Sequence, residues 1–254
     1  MEETFNLRNN QLIASLSYEL QPIVNASELK ISDYEFLLRS KKDNKFPLSE
    51  FNALIQNEKY NSALMHWLRE ALLNEFKKDP AKTISINFDP QQLAFPSTTN
   101  LLCELSSHQS QLIIEITEQF SFAAEQKVEF DKALIHLCNS GYKLAFDDLG
   151  SGQNTLELLL NDLKYFKRIK LSLLKFKQLD ADLLAELLTF TQMLAEKEHL
   201  ELVVEGIDCA QKAKLALDHG ISLQQGFWWR KLVNNHQINQ LNSPDKQFVP
   251  DRYS

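Results

Sequence analysis

Several apolar runs in this 254-residue chain end in a side chain that can bind a metal or carry charge. Tyr34 leads into Glu35, Ser85-Ile86 into Asn87, Leu112–Ile114 into Glu115, and Leu144–Phe146 into Asp147-Asp148. Ile169 is followed by Lys170, and Leu202–Val204 lead into Glu205. If these runs are parallel strands of one barrel, their C-terminal ends converge on a single face, and residues distant in sequence surround one pocket. Carboxylates crowded within a few ångström raise one another's pKa, and such a cluster is normally held ionised by a cation. Oxygen ligands without His or Cys select magnesium, manganese or calcium over zinc or copper. Two such ions about 4 Å apart activate a water and stabilise charge on a phosphate, which is the chemistry of phosphodiester hydrolysis. Lys170 would complete the arrangement by orienting that water.

Taken singly, each element has a plainer reading. Asp147-Asp148-Leu149-Gly150-Ser151-Gly152 can be an ordinary Asp/Gly turn. Glu35 can face solvent from a strand, Asn87 can cap a turn, Lys170 can be a solvated strand-end charge, and Glu205 can cap the next helix. It is their joint placement at successive strand ends that points to one site.

The elements that must position these residues are legible as an alternation. Strand-like runs are expected at Tyr18–Val24, Tyr34–Leu38, Thr83–Asn87, Leu112–Ile116, Lys143–Phe146, Arg168–Leu171, Leu202–Val204 and Gln224–Trp228. Amphipathic stretches at Leu48–Phe76, Val128–Cys138, Leu156–Leu163 and Asp180–Lys197 lie between them. Such β/α alternation predicts a mostly parallel sheet with helices outside. Asn25–Lys30, between the first two runs, is too short for a crossover helix, so an antiparallel pairing is expected near the N-terminus. Gly141 and Gly220 follow helical segments as left-handed caps would, whereas Gly150, Gly152, Gly206 and Gly226 sit at strand ends, where turns are sharp or a backbone approaches closely.

Composition bounds the class. The length suits one α/β domain, since barrels of about 250 residues need not split. A hydrophobic share of 44% with 24% charged residues is that of an ordinary globular protein, and no apolar run approaches a membrane span. The acidic start Glu2-Glu3 lacks the basic, then hydrophobic, pattern of a secretory signal, so a cytoplasmic location is expected. Cys103, Cys138 and Cys209 are odd in number and widely spaced, which favours buried reduced thiols. With 27 basic against 34 acidic side chains and a formal charge of −7, generic binding to duplex nucleic acid or anionic lipid is disfavoured.

In order along the chain, Gln21-Pro22-Ile23-Val24, Glu35-Phe36-Leu37-Leu38-Arg39, Ser85-Ile86-Asn87-Phe88 and Glu115-Ile116-Thr117-Glu118 precede Asp147–Gly152, Arg168-Ile169-Lys170, Val204-Glu205-Gly206-Ile207-Asp208 and Gln225-Gly226-Phe227. This series resembles the EAL domain family from Leu16 to Val233, with Glu35-Phe36-Leu37 in the place of the Glu-Ala-Leu signature. The resemblance implies an α/β fold, a modified TIM-like (β/α)8 barrel with an antiparallel strand near the N-terminus. It would occupy 16–240, with an N-terminal extension at 1–15 and a tail at 241–254. It also implies a phosphodiesterase that hydrolyses cyclic-di-GMP to linear pGpG with magnesium or manganese, as two ions. One ion would be held by Glu35, Asn87, Glu115 and Asp147, and Asp147 would bridge to a second shared with Asp148 and Glu205. Glu35, Lys170 and Glu205 form the implied catalytic set, with Lys170 positioning the attacking water. Gln21, Leu37, Arg39, Asp208 and Gln225 fall on the substrate side, where a guanidinium suits a phosphate oxygen pair, and Glu118 orders a loop. EAL barrels often pair, so a homodimer through the helix near the paired aspartates is a further expectation.

Departures from the family pattern bear on activity. Ser172 stands where an aspartate is usual two residues after the lysine, Phe36 replaces the signature alanine, and Leu149 and Ser151 replace Phe and Thr in the paired-aspartate loop. Asp208 is one methylene shorter than the usual Glu. Trp228 and Trp229 fit core packing of the last strand, or an exposed pair for a dimer contact or guanine stacking. Three functions are therefore weighed: the hydrolase, a catalytically weak EAL domain that binds cyclic-di-GMP or a protein, and an unrelated barrel enzyme acting on a small phosphorylated metabolite.

Overall fold

The computed structural model describes residues 9–117, 124–150, 155–235 and 237. Its strands are β1 (Leu16–Asn25), β2 (Lys30–Ser40), β3 (Ile84–Phe88), β4 (Leu112–Ile116), β5 (Lys143–Phe146), β6 (Arg168–Ser172), β7 (Glu201–Glu205) and β8 (Leu223–Gln225). They succeed one another in chain order in a closed barrel. The chain divides into two compact units, one with residues up to Leu20 and Phe36–Lys143, the other with Gln21–Glu35 and the chain from Leu144.

In the first unit β3 and β4 are parallel, with Asn87 opposite Glu115 and Phe88 opposite Ile116. Both strands are almost wholly buried, as near-continuous apolar runs covered on both faces should be. The helix Glu58–Lys78 turns Leu64, Leu68, Leu72 and Phe76 inward at a spacing of four. The single stretch expected over Leu48–Phe76 is in fact two helices, Leu48–Leu54 and Glu58–Lys78. The break is chemical: Asn57 is extended, and its side chain accepts from the backbone N–H groups of Lys59 and Tyr60, starting a new helix. Phe36, buried on β2, stacks on Tyr18 at 4.5 Å between centroids, with Trp67 edge-on to both. The Tyr18 hydroxyl donates to buried Glu75 at 2.9 Å, and Glu75 also accepts from Lys78 and Lys82.

In the second unit β5, β6, β7 and β8 are parallel neighbours, and β1 pairs antiparallel with β8 through Ile23 and Gln225. The antiparallel strand expected near the N-terminus is thus present. Asn25 shapes the turn after β1, its side chain accepting from Ser27 N and Glu28 N at 3.2 Å each.

Two further expectations are corrected. The run Gln224–Trp228 is not one strand: β8 stops at Gln225, and a helix, Phe227–Asn234, comes next. A Cβ on Gly226 would lie 2.1 Å from the Ile207 carbonyl oxygen. Ile207 N–H donates to Gln225 O at 3.1 Å and its carbonyl accepts from Trp228 N–H at 3.0 Å, which draws the chain off the sheet. Both tryptophans are consequently buried on a helix, and Trp229 Nε1 donates to Gln224 Oε1 at 3.0 Å; neither is presented for guanine stacking. The cysteines form no disulfide, but Cys103 is exposed and Cys138 and Cys209 are half-buried. Cys103 lies on a helix, Pro96–Glu104, that buries Ser97, Thr98, Leu101 and Leu102 instead. Among the described residues no helix is long and apolar enough to cross a membrane.

Gly226→Ala should lower stability by about 1–3 kcal/mol or more, because the added methyl meets backbone that cannot rotate away. Thermal melting checks this, and an unchanged midpoint would show that the Ile207 loop can yield.

Candidate active site

Lys170 is central in β6, with Ile169 and Leu171 pointing to the opposite face of the strand. It is 1% exposed, and its Nζ lies 2.7 Å from Glu205 Oε1, 3.2 Å from Asp147 Oδ1 and 3.3 Å from Glu35 Oε2. These carboxylates come from the end of β7, the residue after β5 and the middle of β2. Gln225, closing β8, donates from Nε2 to Glu35 Oε2 at 2.6 Å, so Glu35 is held by two donors from different strands. Asp148 takes a left-handed backbone at φ 51 and meets Lys175 Nζ at 3.3 Å. The next residue, Leu149, is buried, and its N–H donates to the Lys170 carbonyl at 2.9 Å. That bond ties the paired-aspartate turn to β6.

Burial sets the electrostatics. Desolvation pushes the Asp147 carboxyl above its ordinary range; Lys170 opposes this, and Glu35 and Asp148 add to it. Burial likewise raises Glu205, to about 8, with Lys170 opposing and Asp147 and Glu35 reinforcing. One ammonium among four carboxylates leaves negative charge that a divalent cation would neutralise. Asp147, Asp148 and Glu205 each offer a carboxylate oxygen, all within 4.8 Å of one another. This donor set is hard oxygen, and it fits magnesium, manganese or calcium.

Asn87 and Glu115 face each other across the β3–β4 ladder in the first unit, Glu115 fully buried and Asn87 half-buried. The loop after Asn87 is braced by a buried polar chain: Gln92 Oε1 accepts from Asp89 N at 3.0 Å, Gln92 Nε2 donates to Asn61 Oδ1 at 2.9 Å, and Asn61 Nδ2 donates to Ser97 Oγ at 2.8 Å. Gln21 and Leu37, two of the residues expected on the substrate side, are half-buried on β1 and β2. Arg39 is engaged by Glu19, Nε to Oε2 at 3.2 Å, and by the Leu38 carbonyl at 3.2 Å. Asp208 is exposed and accepts from Lys212 Nζ at 2.7 Å, which holds its carboxyl below the usual range. Glu118, with Ser151 and Gly152, lies outside the described residues. Ser172 is buried at the register position opposite Glu205. Sequence reasoning missed one buried ion pair, Asp33 with Arg168; the available signal was that each stands two residues before a site residue on its strand.

The EAL domain profile matches residues 6–231. The chain belongs to the EAL domain family. The reading as an unrelated barrel enzyme is thereby set aside. The EAL chain is 27% identical over 227 residues to the probable cyclic di-GMP phosphodiesterase PdeN of Escherichia coli, covering 82% of this chain and 42% of that protein. It is 28% identical over 238 residues to the cyclic di-GMP phosphodiesterase TpdA of Vibrio parahaemolyticus, covering 88% and 40% respectively. It therefore spans less than half the length of these relatives. Klebsiella pneumoniae BlrP1, in a manganese/cy-diGMP complex, superposes with a TM-score of 0.65 at 24% identity, over 84% of this chain and 55% of that one. At that identity the likeness shows the fold.

Because metal ligands must be ionised, carboxyls raised by burial release protons when a cation binds. Calorimetric titration with manganese at pH 7, in two buffers of different ionisation heat, should show net proton release, and affinity should weaken as pH falls below about 8. Identical heats in both buffers would mean that the carboxyls are already ionised.

Proposed function

We propose that this EAL domain is a metal-dependent phosphodiesterase that hydrolyses cyclic-di-GMP to linear pGpG with magnesium or manganese, as two ions. The observation that carries the reading is the buried Lys170 ammonium among Glu35, Asp147 and Glu205, beside carboxylate oxygens close enough to share a cation. The names of the relatives support the substrate, and the manganese/cy-diGMP complex of a protein with the same fold supports the cofactor class. Asp147, Asp148 and Glu205 would hold one ion; Glu35 and Asp147, with Asn87 and Glu115 assigned by motif order, would hold the other. Bound ions supply an activated water and stabilise charge on the phosphate.

The protein's own part is orientation. Lys170 can only donate, so a water it holds is gripped through its oxygen and aimed by a side chain that neighbouring carboxylates prevent from swinging. Gln225 fixes the Glu35 carboxylate from the other side, which keeps that ligand from rotating as charge moves. Gln21, Leu37, Arg39, Asp208 and Gln225 are assigned to the substrate side, and Glu118 to ordering a loop. For Arg39 to meet a phosphate its bond to Glu19 must exchange, and for Asp208 to act its pair with Lys212 must open. A cytoplasmic location and a homodimer belong to the same proposal.

A second reading has one observation in its favour. Ser172 places a neutral hydroxyl in the buried position facing Glu205, where the family pattern has a carboxylate, and a domain that binds the dinucleotide without cutting it fits that loss.

Purified protein incubated with cyclic-di-GMP and magnesium or manganese should release pGpG. Glu35→Ala should lose at least about 100-fold in turnover, and calcium should support less turnover than magnesium because its larger, looser shell fits a tight two-ion geometry poorly. Binding without product from the unaltered protein would favour the second reading. Lys170→Ala should reduce kcat by about 100- to 10,000-fold while KM stays within about threefold; an equal loss of binding would contradict its orienting role.

A further inference from the structure

Asp33 stands two residues before Glu35 on β2, and Arg168 two before Lys170 on β6. Side chains two apart on a strand share a face, so the Asp33–Arg168 and Glu35–Lys170 pairs are successive rungs between the same two strands. The Arg168 guanidinium grips Asp33 with both arms, 2.7 Å to Oδ1 and 2.9 Å to Oδ2, while its Nε donates to Glu201 Oε2 at 2.9 Å. Arg168 and Asp33 are each 2% exposed.

β2 and β6 are not neighbours in the barrel order. No ladder of backbone hydrogen bonds sets their relative height, and side chains must do so. The Lys170–Glu35 contact is poorly suited to that task, being a single-point one and longer than those Lys170 makes with Asp147 and Glu205. A planar guanidinium on a carboxylate fixes both distance and angle. Stability does not explain the pair, because a buried ion pair adds little over apolar residues of similar size. We infer that Asp33 and Arg168 are positioning residues that hold Lys170 at its working distance from Glu35, an inference that rests on the hydrolytic reading above.

The test uses the double variant Asp33→Leu/Arg168→Met, which removes both charges together and leaves neither one buried alone. It should melt within a few degrees of the unaltered protein, lose about 10- to 100-fold in kcat with KM within about threefold, and bind manganese about tenfold more weakly. Arg168→Lys keeps the charge but grips one oxygen at a time; it should lower kcat about tenfold, and it stands in if the double variant does not fold. Wild-type kcat in a folded variant overturns the inference. Should the unaltered protein release no pGpG, the hydrolytic reading fails by itself, and manganese affinity decides: unchanged affinity in the folded variants overturns the positioning role, and tenfold weaker affinity sustains it.

Discussion

Lys170 is a cation buried to 1% exposure in the company of Glu35, Asp147 and Glu205, and much of the second unit is arranged around that fact. An ammonium removed from water must be compensated, and the carboxyls that do so are themselves buried, so desolvation drives Asp147 and Glu205 upward, with Lys170 opposing and the neighbouring carboxylates reinforcing. Raised carboxyls favour their protonated form, whose protons a cation bound there would have to displace. The parallel register of β5, β6 and β7 sets the spacing of these groups: Phe146, next to Asp147, pairs with Ile169, next to Lys170, and Glu205 pairs with Ser172, two residues beyond Lys170.

The paired-aspartate turn shows how local strain serves this end. Asp148 is left-handed and its neighbour Leu149 is anchored to the Lys170 carbonyl, so two adjacent carboxylates are aimed from one short turn. The backbone bond from Leu149 to β6 and the buried Leu149 side chain hold the turn in that position. Phe36 tells a similar story in the first unit. Its ring stacks on Tyr18, whose hydroxyl is in turn anchored on Glu75.

The strand-end pattern was legible because a side chain that closes an apolar run is visible without knowing where the run goes. Glu35, Asn87, Glu115, Asp147, Asp148, Lys170 and Glu205 could be singled out on that ground, and motif order added the roles implied for them. Boundaries were harder to read. Asn57 divides a helical stretch whose apolar period continues on both sides, and only the cap geometry reveals the break. Gly226 looked like part of a strand end, whereas the Ile207 carbonyl pressed against it turns the next residues into a helix that buries Trp228 and Trp229.

By itself the sequence determined the β/α alternation, the antiparallel start and the choice of oxygen chemistry, because periodicity and residue type are local properties. Tertiary structure decided which charges meet: that Arg39 is met by Glu19 and Asp208 by Lys212, and that Asp33 reaches Arg168. Those pairings depend on distances between strands and loops far apart in the chain, and a one-dimensional pattern does not encode which of several nearby charges a long side chain will find once water is excluded.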